Sequence, residues 1–200
     1  MGVHTYTVVL FLHVGVVILT FMIAAILHAT LNLLVRAETR EQAQPLARVV
    51  HRLDPLFPFL ALLILGFGAW LIAESKHTDQ RWHWSNGWIM TALTALIVIE
   101  GLAGALLAPH AKKLVKAIEE APAGALSPEL RAQTRDPFIW YIAHTATVGF
   151  LGVVFVMTNK PSGGVAALAV VIAIAVGLGL ARWQLSLAER VHSGAAKVDA

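Results

Sequence analysis

The chain has 200 residues, 58% of them apolar and 14% charged, with a net charge of +3 and no cysteine. Soluble domains carry about 25% charged residues, so this composition belongs to integral membrane proteins and leaves no stretch for a separate soluble domain. Disulfides, thiolate metal sites and thiol catalysis are excluded.

In chain order, five stretches are free or nearly free of charge: Val8–Val35, Leu56–Ala73, Gly87–Ala108, Phe138–Met157 and Val165–Ala181. Each is close to the roughly 17–25 residues that a helical span needs, so the expected fold is all-α and polytopic, with five transmembrane helices. No Lys or Arg precedes Arg36, and the first apolar run is too long for a signal-peptide core, so helix one is expected to be retained. Behind it, Ala37–Val50 mixes Glu38, Arg40, Glu41 and Arg48 with Leu46, Val49 and Val50. That amphipathic pattern reads as helix one continuing past the membrane. Asp54-Pro55 and Asp136-Pro137 open helices two and four. Aspartate caps a helix N-terminus, and proline at the first position gives up no hydrogen bond. Ala121–Pro128 holds two prolines and a glycine and reads as a loop. Gly66, Gly68, Gly101, Gly104, Gly177 and Gly179 read as points where a neighbouring helix comes close.

Twelve of the fifteen Lys and Arg residues fall in loops one–two and three–four and in the tail, among them Arg36, Arg48, Lys112, Arg135 and Lys197. Only Lys76, Arg81 and Lys160 fall on the other side. The positive-inside rule then sets the N-terminus out and the C-terminus in, in a bacterial inner membrane. Trp82, Trp84 and Trp88 mark the outer edge, and Trp140, Tyr141 and Trp183 the inner one. The organisation expected is a four-helix up-down core over residues 1–161, with a fifth helix and cytoplasmic tail over 162–200. The basic loops follow from topology, so the expected partners are the lipid bilayer and another membrane protein or a second copy, and not nucleic acid. Leu34-Val35-Arg36-Ala37 before Asp54-Pro55 echoes Leu114-Val115-Lys116-Ala117 before Asp136-Pro137. The echo reads either as a direct repeat of two helix hairpins or as shared helix-end chemistry.

Three ionisable side chains lie deep in the spans. His28 is eight residues before Arg36, and His144 eight after Asp136, each about 12 Å in at about 1.5 Å per residue. Glu100, twelve residues before Lys112, is about 18 Å in and near the midplane. A charged group at that depth costs about 2.5–3.5 kcal/mol on insertion scales, so it marks a candidate site by default. On helix one His13, Thr20, Ala24, His28 and Leu31 share one stripe. An up-down order places helix one beside helix four, so His28 and His144 are expected to face each other with Glu100 slightly above.

Four readings of this set stand side by side. His28 and His144 are placed to be axial ligands of one haem b. With Glu100 they make a donor set for a divalent metal. The three also suit a proton relay or the substrate site of a carrier. The fourth reading has no cofactor: each histidine bonds a helix backbone, in a structural membrane subunit. A weaker outer set, His13, Met90 and Met157, offers soft and imidazole ligands of the kind copper takes. His51 and His110 read as solvated. No phosphate loop, zinc-protease helix or serine elbow is present, so no reaction is named.

Phe11-Leu12-His13-Val14, and Val154-Phe155-Val156-Met157-Thr158-Asn159-Lys160-Pro161 at the end of helix four, resemble the start and end of an uncharacterised bacterial family of predicted integral membrane proteins. The resemblance covers residues 7–161 and implies a four-helix layout. More distantly the chain resembles copper-resistance D-type and protoporphyrinogen-oxidase-type membrane proteins, which share a leucine-histidine start to helix one. That likeness implies a role for His13. The function expected from the residues themselves is a small haem- or metal-binding membrane protein, accessory to membrane redox chemistry; the alternative is a carrier or a structural membrane subunit without cofactor.

Overall fold

A computed structural model describes residues 2–79 and 81–195, with side chains over 4–79 and 81–187. Lys197 lies outside the described residues. The elements are α1 (Gly2–Leu34), α2 (Arg40–Leu53), α3 (Leu56–Glu74) with a closing 3₁₀ turn (Ser75–His77), and α4 (Gly87–Leu102). A π-helical turn (Ala103–Leu107) leads on to α5 (Ala108–Glu120), α6 (Pro128–Thr134), α7 (Pro137–Asn159) and α8 (Gly163–Ala195). Among the described residues there is no strand. Five helical rods, carried by α1, α3, α4–α5, α7 and α8, are long and apolar enough to cross a membrane.

Local chemistry sets the breaks. The amphipathic stretch after helix one is a separate helix and not its continuation. The chain turns over residues 35–38, and the Thr39 hydroxyl caps α2 by accepting from the Gln42 N–H at 3.4 Å. Asp136 caps α7 as expected, accepting from the Phe138 N–H at 3.0 Å. Asp54 does not cap α3. Its backbone is helical and its N–H closes α2 onto the Val50 carbonyl, so α2 passes to α3 through a tight joint. The shared Asp-Pro pair thus has two different structures. The same holds for the echoed Leu-Val motifs: Leu34 ends a helix, while Leu114 and Val115 lie inside α5.

The π turn lies just ahead of Pro109. Proline has no N–H to give the carbonyl four residues back, Ala105, and its ring crowds that carbonyl. The wider turn over 103–107 absorbs both defects. His110 makes a further bond across this turn, its Nδ1 standing 2.7 Å from the Leu106 carbonyl. That nitrogen must donate, because a carbonyl only accepts. His110 also packs on Phe138, ring centroids 4.7 Å apart, so it is half-buried structure and not a solvated loop residue.

The two basic loops are joined to each other. Arg40 N–H donates to the Gly124 carbonyl and Leu126 N–H to the Glu38 carbonyl, both at 2.9 Å, around a bridge between Thr39 and Ala125. Gly124 takes φ +98°, a left-handed value that residues with a Cβ rarely adopt. Beneath this zipper α2 and α5 press their apolar faces together, burying Ala43, Ala47, Leu114 and Ile118 against Leu34 and Leu126.

In the membrane-spanning part, α7 and α8 form the most extensive pairing, α1 lies along α3, and α4 lies on α7 and α8. α1 meets α7 only over a short stretch. The expected glycine contacts divide. A Cβ on Gly177 would come within 2.9 Å of the His144 carbonyl oxygen and Thr145 Cα, and one on Gly68 would meet the His13 ring at 3.5 Å; the tightest approach on α7 is at Gly152, which was not among those expected, 2.6 Å from Ala173 Cβ. Gly66, Gly101, Gly104 and Gly179 face open space within 4 Å. Backbone-to-backbone approach therefore occurs between α7 and α8 and, at Gly87 and Gly163, between the starts of α4 and α8, but not at the glycines beside Glu100.

Candidate functional site

The expected interior stripe of α1 is the one that faces the bundle. His13, Thr20 and Ala24 are buried and His28 and Leu31 half-buried, while Phe11, Ile18 and Met22 point outward. Thr20 returns its hydroxyl proton to the Val16 carbonyl at 2.8 Å, which removes a polar cost without a partner helix.

His28 and His144 meet. Their ring centroids are 4.5 Å apart with planes at 63°. His144 is held from three sides. Its Nδ1 donates to the Trp140 carbonyl at 2.9 Å, the Trp140 ring stacks on it at 5.6 Å, and Gly177 of α8 lies against its backbone. The carbonyl fixes the proton on Nδ1, so Nε2 of the neutral ring is the lone-pair nitrogen. His28 Nε2 stands 2.9 Å from the Thr147 hydroxyl, and its Nδ1 is buried with no partner. Asn32 secures the backbone there, donating to the His28 carbonyl at 2.9 Å. Thr147 is three positions beyond His144 and so on the same helix face.

The ring contact bears on the haem reading. Two nitrogens bound to opposite faces of one iron stand about 4 Å apart, at about 2 Å per bond, and their ring bodies lie farther out. At 4.5 Å between centroids in an edge-to-face arrangement, the rings leave no slot for a macrocycle between them. The metal set is not assembled either. Among the described residues no group of three or more His, Asp or Glu is placed to hold an ion, so His28, His144 and Glu100 do not converge on one point. Of the outer set, His13 and Met157 share a cavity, while Met90 is 48% exposed on the outside of the bundle.

Glu100 instead faces a cleft. Its neighbour Ile99 turns toward α7, with its Cδ1 3.0 Å from where a Cβ on Gly149 would stand. That leaves the half-buried Glu100 on the adjoining face. The cleft holds about 390 Å³ between α1, α4 and α7. His28, Thr147 and Thr20 line it beside Glu100, and Asp54 and Lys112 line it at the end where the basic loops lie. No described residue bonds to the Glu100 carboxyl.

A second cavity of about 330 Å³ lies toward the tryptophan end of the same helices. Tyr6, Trp82, Trp84 and Trp88 wall it, His13 lies on its α1 side, and Lys160 completes it. Ser75 sets this wall. It is buried, and its hydroxyl accepts from the Trp82 N–H at 2.9 Å. Trp82 meets Trp88 edge-on at 5.1 Å, and the Lys160 ammonium sits 4.7 Å above the Trp82 ring. Phe150 lines both cavities, and its ring lies 5.0 Å from that of Phe21. Along α1 the lining passes from Val17 in the second cavity to Thr20 and Phe21 in the first, and along α4 from Leu96 to Ile99 and Glu100. The two spaces therefore stand end to end with the phenylalanine pair between them. Compared with known protein families, with curated proteins and with solved structures, the chain matches none.

Proposed function

We propose that the chain is a proton-coupled carrier of a bacterial inner membrane, in which Glu100 exchanges a proton for a monovalent cation. In this reading the first four spans form an up-down bundle, the N-terminus is outside, and the basic loops face the cytoplasm. One observation carries the reading: a carboxyl with no bonding partner among the described residues stands in an open cleft whose mouth carries Asp54 and Lys112. A buried structural carboxylate is normally paired, because an unpaired one costs several kcal/mol, about 3 or more, to bury. A carboxyl left free in a cleft is instead available to two competing occupants, a proton or a cation. The redox reading rests on a gap between His28 and His144 that the ring contact fills. Here the pair is positioning structure: Thr147 and His144 hold His28, which lines the cleft with Glu100.

The test uses the full chain in acid-loaded proteoliposomes containing a pH-sensitive dye. External monovalent cations are added in turn: sodium, potassium, tetraethylammonium and tetraphenylphosphonium. The interior is expected to become alkaline with at least one of them, and Glu100→Gln, inserted normally, is expected to abolish the response. A response that survives Glu100→Gln, or none with any cation, overturns the carrier reading. A Soret band in the purified protein, lost in both His28→Ala and His144→Ala, would carry the haem reading in its place.

A further inference from the structure

We propose that the cation is lipophilic and organic, and that the two cavities are successive stations on its path, separated by Phe21 and Phe150. The inference rests on the carrier reading and adds the substrate class and the route.

Charge, size and wall chemistry each bear on it. Glu100 is the one carboxyl at the deep end of the first cleft, and Asp54 lies at its mouth beside Lys112. A single deep carboxylate neutralises one positive charge. The two spaces, about 390 and 330 Å³, match drug-sized ligands, for which pockets run from about 300 Å³ upward. A bare sodium or potassium ion needs a cage of oxygens, and the second cavity offers few: apart from His13, Thr158 and Lys160 its walls are aromatic, aliphatic and thioether side chains, with the Tyr6 hydroxyl at one of them. Aromatic faces instead attract diffuse cations through the ring quadrupole, by about 0.5–2 kcal/mol each. The cavity already shows the preference, because Lys160 places its ammonium over Trp82. An organic cation reaching Trp82 takes the seat of that side chain.

The exchange balances in charge. One proton leaves Glu100 as one monovalent cation arrives, and no covalent bond to carbon changes. His28 from α1, Asp54 from the α2–α3 joint and Lys112 from α5 share the first cleft with Glu100, and His144 from α7 lies behind His28. Proton competition at Glu100 is therefore separated from theirs by substitution. Between the cavities the Phe21–Phe150 pair offers no polar group, so a cation crosses only when the rings part.

The probe is tetraphenylphosphonium, titrated calorimetrically into the purified full chain. Where the carboxyl is protonated, affinity is expected to fall about tenfold per pH unit, as competition by one proton requires. Glu100→Gln should lower affinity at least tenfold and remove that pH dependence, while His28→Ala keeps it. Trp82→Leu should weaken binding about five- to tenfold and leave the pH dependence intact. The route is read by thiol labelling, since the chain has no cysteine of its own. An impermeant reagent should reach Ala146→Cys, in the first cleft, from one membrane side only. It should reach Ala69→Cys, in the second cavity, only from the other. Adding Phe21→Ala should open both to either side. Absent binding, binding that ignores pH, or an unchanged sidedness with Phe21→Ala overturns the inference. If sodium or potassium drives exchange and tetraphenylphosphonium neither binds nor does so, the substrate class falls while the carrier reading stands. If Glu100→Gln still exchanges, the carrier reading itself falls.

Discussion

Gly177 and Gly101 sit in helices of similar apolar composition, yet they do opposite work. At Gly177 the missing side chain lets α8 lie backbone to backbone on α7, at His144 and Thr145. At Gly101 nothing comes within 4 Å of the missing side chain, and the position is exposed just ahead of the π turn. The α7–α8 side of the molecule is thus a close-packed wall, where Val156 and Ala166 are fully buried. The α1–α4 side is loosely filled. Small residues in membrane helices permit close packing but do not ensure it, and a neighbour with matching small residues decides which occurs.

The sharpest way to break this contrast is a pair of substitutions. Gly177→Leu drives side-chain atoms into backbone that cannot yield, and should cost about 3 kcal/mol or more. Gly101→Ala meets nothing and removes backbone entropy from the unfolded chain, so it should stabilise by about 0.5–1 kcal/mol. Denaturation midpoints in detergent are expected to move in opposite directions. If both fall, the open space beside Gly101 is not open.

A smaller effect separates two threonines on α7. Thr147→Val leaves both ring nitrogens of His28 without a partner and should cost about 1–3 kcal/mol. Thr145 has a buried hydroxyl with no partner, so Thr145→Val keeps the shape, removes an unmet polar group, and should be neutral or stabilising. Equal losses in the two variants would place the polar cost elsewhere on the helix.

The smallest effect concerns the zipper. Glu41 is exposed, and its carboxyl is held below the usual carboxylate range by its own backbone N–H first and by the Gly124 N–H second. A depressed folded value means that its contribution is complete above the ordinary value of about 4.3 and is lost as pH falls through the lower, folded one. Glu41→Gln should therefore flatten the acid side of a stability–pH profile and leave the neutral region almost unchanged. An identical acid slope in both proteins would mean that the bond to Gly124 is not kept in solution.

How far the sequence reaches follows the range of each interaction. The five apolar rods and the inward stripe of α1 depend on periodicity within one segment, and they were legible. So was the common level of His28 and His144, because depth counts residues from a charged helix end. The π turn had a local sign in Pro109, but its consequence for His110 depends on a carbonyl one turn earlier. The contact of Thr147 with His28, the phenylalanine pair and the zipping of the two loops join residues more than eighty positions apart, and periodicity carries no such information. Asp54 is the instructive failure: its capping role depended on the preceding helix stopping short, and α2 instead runs on to Leu53 and takes Asp54 as its own closing residue.

The bonds between the two basic loops have a mechanical consequence. Arg40 to Gly124 and Leu126 to Glu38 are backbone contacts, so apart from Gly124, whose left-handed backbone resists a Cβ, they do not depend on which side chains stand there. The loops leading out of α1 and α5 are tied together there, and any parting of α1 from α4 must turn about that end as about a fulcrum. Amplitude then grows with distance from the tie. Around Trp82, between α3 and α4, the backbone bonds among the described residues are local ones and none joins two loops, so such a motion would be widest at that end.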